Sequence, residues 1–262
     1  CDMTLLVSDV EVKILESFFK IEISLLFYLP IFCDLSQEKI KSWKSFSEKK
    51  DFVFIGNFLH EPNWNTVQYL KQSIWPEIRK QIPKAILKIY GAYPSQKVFQ
   101  LHNEREGFLI MGRAENAEVV FHEARVVLAP IQFGAGIKGK LLEAMLFGTP
   151  SVTTSIGAEG IKGTWEWNGF IADDSETFIS KAIELYANEQ VWYTAQQKGK
   201  LLLDNRFKSV LYKDIFFENI MKLKNELSKH RNKNFLGALL QYHTLRSTEF
   251  MSKWIQEKNK IR

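Results

Sequence analysis

The stretch from Ala129 to Ile161 contains residue types that bind a phosphorylated ligand. Its sequence is APIQFGAGIKGKLLEAMLFGTPSVTTSIGAEGI. A short apolar run ends at the proline, and a loop containing Gly134, Gly136 and Gly139 leads into a predicted helix. Free backbone N–H groups and the helix dipole attract an anion at such a helix N-terminus, and glycines allow it to approach closely. The pattern therefore predicts an anion-binding site.

Three charged residues define what this loop could bind. Lys138 and Lys140 place two positive charges where the helix begins, so a diphosphate fits the arrangement. Glu143 follows three residues later and projects from a neighbouring face of the first helical turns. A carboxylate repels phosphate and is better suited to accepting hydrogen bonds from vicinal hydroxyls, such as those of a ribose. An isolated Lys–Glu pair is typical of a surface helix, but the glycine loop before it and the Gly148–Pro150 stop after it favour a binding role.

The elements that must position these residues alternate between short apolar runs and amphipathic stretches. Such alternation predicts βαβ units, and therefore an α/β fold with a parallel sheet and helices on both faces. The predicted strands are Phe52–Ile55, Ile86–Tyr90, Phe108–Met111, Val126–Ala129, Ser151–Thr154 and Phe170–Ala172. The predicted helices are Trp64–Arg79, Leu141–Phe147, Ser175–Ala187, Phe207–Leu227 and Phe235–Lys258. Ligands of such sheets bind beyond the carboxyl ends of the strands, which is where the glycine loop lies.

Composition narrows the class of protein. The 262 residues are 45% hydrophobic and 13% aromatic, as in a globular protein with a buried core. Two cysteines and five scattered histidines form neither a disulfide framework nor a metal-ligand cluster, so we expect no bound metal. A reducing, cytoplasmic location follows as the default.

The excess of positive over negative charge lies at the end of the chain. Residues 228–262 contain eight Lys/Arg and two Glu, whereas the rest of the chain is close to neutral within a net charge of +5. We therefore expect no nucleic-acid partner for the main domain. The basic, apolar tail is predicted either to pack on another domain or to make peripheral contact with the inner face of a membrane.

Four segments follow from these patterns. Residues 1–36 contain a strand and a helix, and residues 37–50 form a polar stretch predicted to be a linker. Residues 51–190 form the alternating α/β domain, and residues 191–262 form a helical segment that ends in the basic tail.

The string GxGxKxKLLEAMxxGxPxVTTxxGxEG, at Gly134–Gly160, resembles the donor-site signature of the GT4-like (group 1) glycosyltransferases of the GT-B fold. Phe54–Asn63 (FIGNFLHEPN) resembles the first strand and loop of their C-terminal, Rossmann-like domain. Leu87–Gly91 and Gly107–Gly112 resemble the next two strand–glycine units. The resemblance covers roughly Asp51–Asp174.

This resemblance implies an enzyme that transfers a sugar, with retention, from a UDP- or GDP-type nucleotide sugar to an acceptor hydroxyl. The acceptor would be a glycan, a lipid or a small molecule, and no cofactor would be needed. Lys138 and Lys140 would stabilise the leaving diphosphate, and Glu143 would hold the ribose. The other donor-binding residues that the resemblance implies are Gly56, Asn57, Gly112, Arg113, Gly134, Ala135, Gly136 and Ile137.

The sequence departs from the family pattern at three positions, and it resembles only a small part of the family's N-terminal domain. Ala135 stands where members often have a second glutamate, and Asn57 and Asn63 stand where members often have Arg and Lys. Only Cys1–Ile31 resembles the end of the N-terminal domain, so we expect the chain alone to bind donor weakly and to transfer little sugar. The alternatives are a nucleotide-sugar epimerase of the same fold and a non-catalytic nucleotide-binding or scaffolding protein.

Other polar and aromatic clusters have simpler interpretations. His60-Glu61 and His122-Glu123 could act as acid/base pairs, but neither lies in a recognisable site. Trp165–Trp167 could stack on a sugar or pack in the core. Asp173-Asp174 is predicted to cap the next helix.

Overall fold

The computed structural model describes residues 1–260, apart from the side chains of residues 235, 236, 238, 240–247, 259 and 260. The chain forms two compact units. One is Leu5–Tyr212, and the other combines Cys1–Thr4 with the residues from Lys213 onward. The four segments inferred from the sequence stay a prediction.

A six-stranded parallel sheet forms the centre of the larger unit, with strand order β5-β4-β3-β6-β7-β8. The strands are β1 (Thr4–Leu6), β2 (Leu26–Tyr28), β3 (Lys50–Ile55), β4 (Leu87–Tyr90), β5 (Phe108–Gly112), β6 (Ala124–Ala129), β7 (Ser151–Thr153) and β8 (Gly169–Ile171). All six predicted strands are confirmed, and β1 pairs with β2 in a separate two-stranded sheet.

Helices cover both faces of the six-stranded sheet. The helices of the chain are α1 (Asp9–Ser17), α2 (Gln37–Lys41), α3 (Glu61–Tyr69), α4 (Trp75–Gln81), α5 (Gln96–Phe99), α6 (Ala117–Glu123), α7 (Gly139–Leu146), α8 (Ser155–Ala158), α9 (Ser175–Ala187), α10 (Glu189–Arg206), α11 (Lys213–Asn225), α12 (Leu227–Lys233) and α13 (Phe235–Lys260). The π-helical turn Leu70–Ile74 joins α3 to α4, so the predicted helix Trp64–Arg79 is confirmed as one helical stretch with an irregular centre. There are also two 3₁₀ turns, Ile23–Leu25 and Ser209–Leu211.

Alternate residues of the central strands supply two apolar cores. Phe52 and Phe54 of β3 belong to the core under α3, α4 and α9, whereas Val53 belongs to the core under α7 and the end of α10. Side chains of a strand alternate between its faces, so one strand serves both cores. A strand covered on both faces reads as a continuous apolar run, which explains why β3 and β6 are recognisable in the sequence.

The helix predicted at Phe207–Leu227 is wrong at its start. Phe207 is fully buried and closes α10, donating its backbone N–H to the carbonyl of Leu203. The next residue, Lys208, is extended, and α11 begins only at Lys213. Burial of the phenylalanine side chain against the core therefore overrides the helical pattern that continues through it in the sequence.

The polar segment before β3 packs closely on the sheet-bearing unit. It contains α2, and Trp43 donates its indole N–H to the carbonyl of Leu146 at 2.9 Å. Lys49 is fully buried, and its ammonium donates to the carbonyl of Phe121 at 2.9 Å and to the hydroxyl of Thr149 at 2.6 Å. Burial lowers the pKa of Lys49 to about 7.

The second unit is helical, as predicted for the end of the chain. Arg231 of α12 forms a two-pronged ion pair with Asp2, at 2.7 and 2.8 Å. Phe250 and Trp254 of α13 are exposed, whereas the side chains of Leu236 and Leu240 lie outside the described residues. None of the described helices is both long and apolar enough to cross a membrane. Contact of the tail with a membrane surface stays a prediction.

Candidate functional site

The candidate site lies at the carboxyl ends of β3 and β6, which are neighbours in the sheet. Residues 56–63 follow β3, and the glycine loop 130–138 follows β6 and leads into α7. Because parallel strands end at the same edge of a sheet, the two loops meet there. The cyclic side chain of Pro62 lies near Gly134, where an added Cβ would be 3.1 Å from the proline Cγ.

Lys140 lies between these two loops. Its ammonium donates a hydrogen bond to Oδ1 of Asn63 and lies 4.3 Å from the ring centroid of Phe54. Burial, reinforced by the nearby charge of Lys138, lowers the pKa of Lys140 to about 7. Within the described residues Lys140 has no carboxylate partner. An anionic ligand would supply the missing negative charge and favour the charged form of the amine.

Asn63 is held in the orientation that this contact requires. Its Nδ2 donates to the backbone carbonyl of Asn57 at 2.7 Å, so its Oδ1 is left for Lys140. The Asn57 side chain accepts a hydrogen bond from the N–H of Leu59 at 2.9 Å and so closes its own turn. The sequence indicates Asn63 only as a departure from the family pattern, because its partner is 77 residues away.

Gly56 provides the space for the contact between Asn63 and Lys140. A Cβ at this position would lie 2.7 Å from Cγ of Asn63 and 3.1 Å from the ammonium of Lys140. By contrast, a Cβ at Gly139, the first residue of α7, would meet nothing within 4 Å.

Replacing Gly56 with alanine is expected to displace Asn63 and to lower diphosphate affinity about tenfold, equivalent to about 1.4 kcal/mol. Isothermal titration calorimetry with pyrophosphate measures the loss. Gln190→Ala, at an exposed residue of α10 outside both loops, is the control and should keep wild-type affinity. Equal affinities for the two variants would show that the packing around residue 56 does not shape the site.

The glycine loop has a conformation that only glycine adopts readily at two positions. Gly134 has φ 121° and Gly136 has φ 77°. The Lys138 ammonium donates to the carbonyls of these two glycines, at 2.8 Å each. Lys138 is only 9% exposed. The sequence predicts that this lysine faces a diphosphate, whereas the structure places its ammonium against the loop.

The remaining predicted donor-binding residues lie on α7, at the end of β5 and in the glycine loop itself. Glu143 is exposed on α7, and partial burial of its carboxyl raises its pKa. Gly112, at the end of β5, has φ 75° and open space around it, and Arg113 next to it is exposed. Two further predicted donor-binding residues lie in the loop. Ala135 is exposed, and Ile137 is partly buried against Gly160.

The other clusters noted in the sequence have structural partners. His122 packs on the ring of Phe147 at 5.2 Å, and Glu123 pairs with Lys44. The indole of Trp167 is buried and donates to Ser151 at 3.1 Å. Each of these side chains therefore has a contact within the protein.

Of the two aspartates after β8, Asp174 caps the next helix, as the sequence predicts, whereas Asp173 contacts the start of the earlier helix α8. Asp174 accepts from the N–H of Thr177 at 2.8 Å and caps α9. Asp173 accepts from the N–H of Ser155 at 2.7 Å, at the start of α8. His60 and Glu61 are exposed where α3 begins.

The family match decides what kind of protein contains this site. Residues 49–188, more than half of the chain, match the family described as Glycosyl transferases group 1. The chain belongs to the group 1 glycosyl transferases. The resemblance to group 1 glycosyltransferases is therefore confirmed, whereas the GT4-like assignment stays a prediction. The match includes both loops of the candidate site.

Solved glycosyltransferases of the GT-B fold share the architecture of this group 1 chain. A mutant of S. aureus TarM, in complex with fondaparinux, alpha-GlcNAc-glycerol and UDP, superposes with TM-score 0.68 at 14% identity, over 83% of this chain and 43% of TarM. The pneumococcal O-GlcNAc transferase GtfA, in complex with UDP and GlcNAc, gives 0.56 at 17% identity, over 84% and 45%. The trehalose 6-phosphate synthase of Burkholderia multivorans gives 0.63 at 8% identity, over 86% and 60%.

These similarities establish the fold. The chain spans less than half of the length of TarM and GtfA. No curated protein matches the chain.

Proposed function

We propose that this chain is the donor-binding half of a retaining, GT4-type glycosyltransferase that uses a nucleotide-diphosphate sugar. The observation that carries the proposal is the ammonium of Lys140, buried without a carboxylate partner among the described residues, beside a glycine loop at the helix N-terminus. A diphosphate supplies the negative charge that this arrangement lacks.

The chemistry assigned to these residues is stabilisation of the leaving group. When the bond between the sugar C1 and the diphosphate oxygen breaks, negative charge develops on that oxygen. Lys140 and the N–H groups of the loop would face this charge in a partly water-excluded site, where fixed donors lower the barrier. Glu143 would accept hydrogen bonds from the ribose hydroxyls, since its carboxylate has no ion pair within the described residues.

Lys140 supplies the positive charge in this proposal, so we infer that the site binds the diphosphate without a metal ion. UDP is the first nucleotide to test, because the TarM and GtfA structures were both determined in complex with UDP. GDP is the next candidate. The acceptor would be a glycan, a lipid or a small molecule that meets the sugar from the opposite half of the enzyme.

A thermal-shift screen with UDP, GDP, ADP and their sugars tests the proposal. A ligand present at 100 times its Kd should stabilise the chain by about 2.7 kcal/mol, equivalent to roughly 5–10 °C in Tm. Uridine, guanosine and adenosine serve as controls that lack the diphosphate. If no diphosphate raises Tm above its nucleoside control, the chain is not a donor-binding half.

Once nucleotide binding has been shown, turnover assays distinguish two alternative functions from the proposed one. An epimerase of the same fold would interconvert free nucleotide sugars, and a scaffolding protein would bind nucleotide without converting it. Combining this chain with the N-terminal half of a group 1 transferase and assaying sugar transfer distinguishes all three. Sugar transfer supports the proposal, and binding without transfer or epimerisation supports the scaffold.

A further inference from the structure

The ammonium of Lys138 sets the orientation of two peptide groups in the glycine loop. It donates to the carbonyl oxygens of Gly134 and Gly136, each at 2.8 Å. Both carbonyls must therefore point toward this one cation. The described part of the chain contains no cis peptide bond, so both peptide groups are trans.

In a trans peptide the N–H of the following residue points opposite to the carbonyl. The N–H groups of Ala135 and Ile137 belong to the same two peptide planes as the bound carbonyls. They must therefore point away from Lys138. Neither N–H donates a hydrogen bond to any group in the described part of the chain. Each of these free N–H groups can donate to a separate oxygen of a diphosphate that lies on the side of the loop away from Lys138.

Two carboxylates partly offset the cost of burying the Lys138 charge. Burial lowers its pKa, while the Glu159 and Glu11 carboxylates oppose that lowering. The lysine is only 9% exposed. Glu11 belongs to α1, and its Oε1 would lie 3.9 Å from a Cβ at Gly136, so this carboxylate is close to the same loop. A cation that is buried and already donates to two carbonyls is poorly placed to meet a ligand directly.

We propose that Lys138 is a positioning residue, which acts by turning the N–H groups of Ala135 and Ile137 toward the diphosphate of the donor. The inference rests on the proposed function and assigns the phosphate contact to the backbone rather than to this side chain. Lys140 and Lys138 then have separate roles, although they are two residues apart. Lys140 contacts the ligand, and Lys138 orders the loop that contacts it.

Pyrophosphate is the probe, because it is independent of the base and the sugar. We would titrate it into ¹⁵N-labelled protein and follow the amide resonances of Ala135 and Ile137. In the wild type both should move downfield as they donate to phosphate. Lys138→Met should lower affinity about tenfold, and both shifts should be lost at saturation. Lys140→Met should lower affinity while both shifts remain at saturation. Lys162→Met, at an exposed lysine, controls for the loss of one positive charge.

Each contrary result has a distinct meaning. If Lys138→Met weakens binding but keeps both amide shifts, the lysine contacts phosphate directly and the inference is wrong. Unchanged pyrophosphate affinity in Lys138→Met would also overturn the inference. So would pyrophosphate binding to the wild type that leaves both amide resonances unmoved, a result that does not depend on whether a variant folds. Absence of pyrophosphate binding to the wild type would overturn the proposed function and this inference together.

Discussion

Replacing Lys140 with methionine should strongly weaken diphosphate binding and raise the thermal stability of the unliganded chain. The loss of a charge-assisted contact with two phosphate groups is expected to cost about 100-fold or more in affinity. In the unliganded chain the same ammonium destabilises the fold. Burial lowers its pKa to about 7, and none of the described residues places a carboxylate beside it. Methionine fills a similar volume without a charge.

Calorimetric titration with pyrophosphate and thermal unfolding measure the two effects on the same samples. Each kcal/mol gained on removing the buried charge should raise Tm by about 2–4 °C. Lys162→Met is the control, since this lysine is exposed and should change neither quantity. A Lys140→Met variant that binds like the wild type would remove Lys140 from the site, whatever happens to its stability.

Diphosphate binding should also take up a proton above neutral pH. With its pKa lowered to about 7, Lys140 is mostly neutral at pH 8 in the unliganded chain. A bound diphosphate favours the ammonium and raises this pKa, so binding and protonation are linked. Affinity should therefore fall by up to about tenfold per pH unit above pH 7, until the pKa of the liganded state is reached.

Titrations in two buffers with different ionisation enthalpies report the uptake directly. Lys140→Arg provides the matched control, because a guanidinium stays charged across this range and should remove the linkage. The apparent binding enthalpy of the wild type should change with the buffer at pH 8, and that of the arginine variant should not. Identical wild-type enthalpies in both buffers would show that the lysine is already charged before the ligand binds.

The sheet was predictable because each of its strands carries its own local signal. Phe52–Ile55 and Val126–Ala129 are continuous apolar runs, as expected for strands buried on both faces. The start of α11 was not predictable, because Phe207 leaves the helical pattern only through burial against distant residues. The packing of residues 36–50 was also hidden, since Lys49 satisfies its ammonium with oxygens that lie 72 to 100 residues away.

The candidate site also contains features that the sequence indicates and features that it does not. The glycine loop and Glu143 were visible because their spacing lies within one short segment. The contact between Asn63 and Lys140 joins two loops 77 residues apart, so no local pattern indicates it. The orientation of Lys138 was hidden for another reason. Whether a lysine at a helix start turns toward the ligand or back onto its own loop depends on the φ angles of Gly134 and Gly136.

The central claim is that the loop and helix from Gly134 to Glu143 bind the diphosphate and ribose of a nucleotide donor. The most direct test is calorimetric titration of the wild type, Lys140→Ala and Glu143→Ala with UDP, GDP, ADP and pyrophosphate. We predict that at least one nucleoside diphosphate binds the wild type and that both variants lose it, while Glu143→Ala alone keeps its affinity for pyrophosphate. Unchanged nucleotide affinity in both variants would contradict the claim.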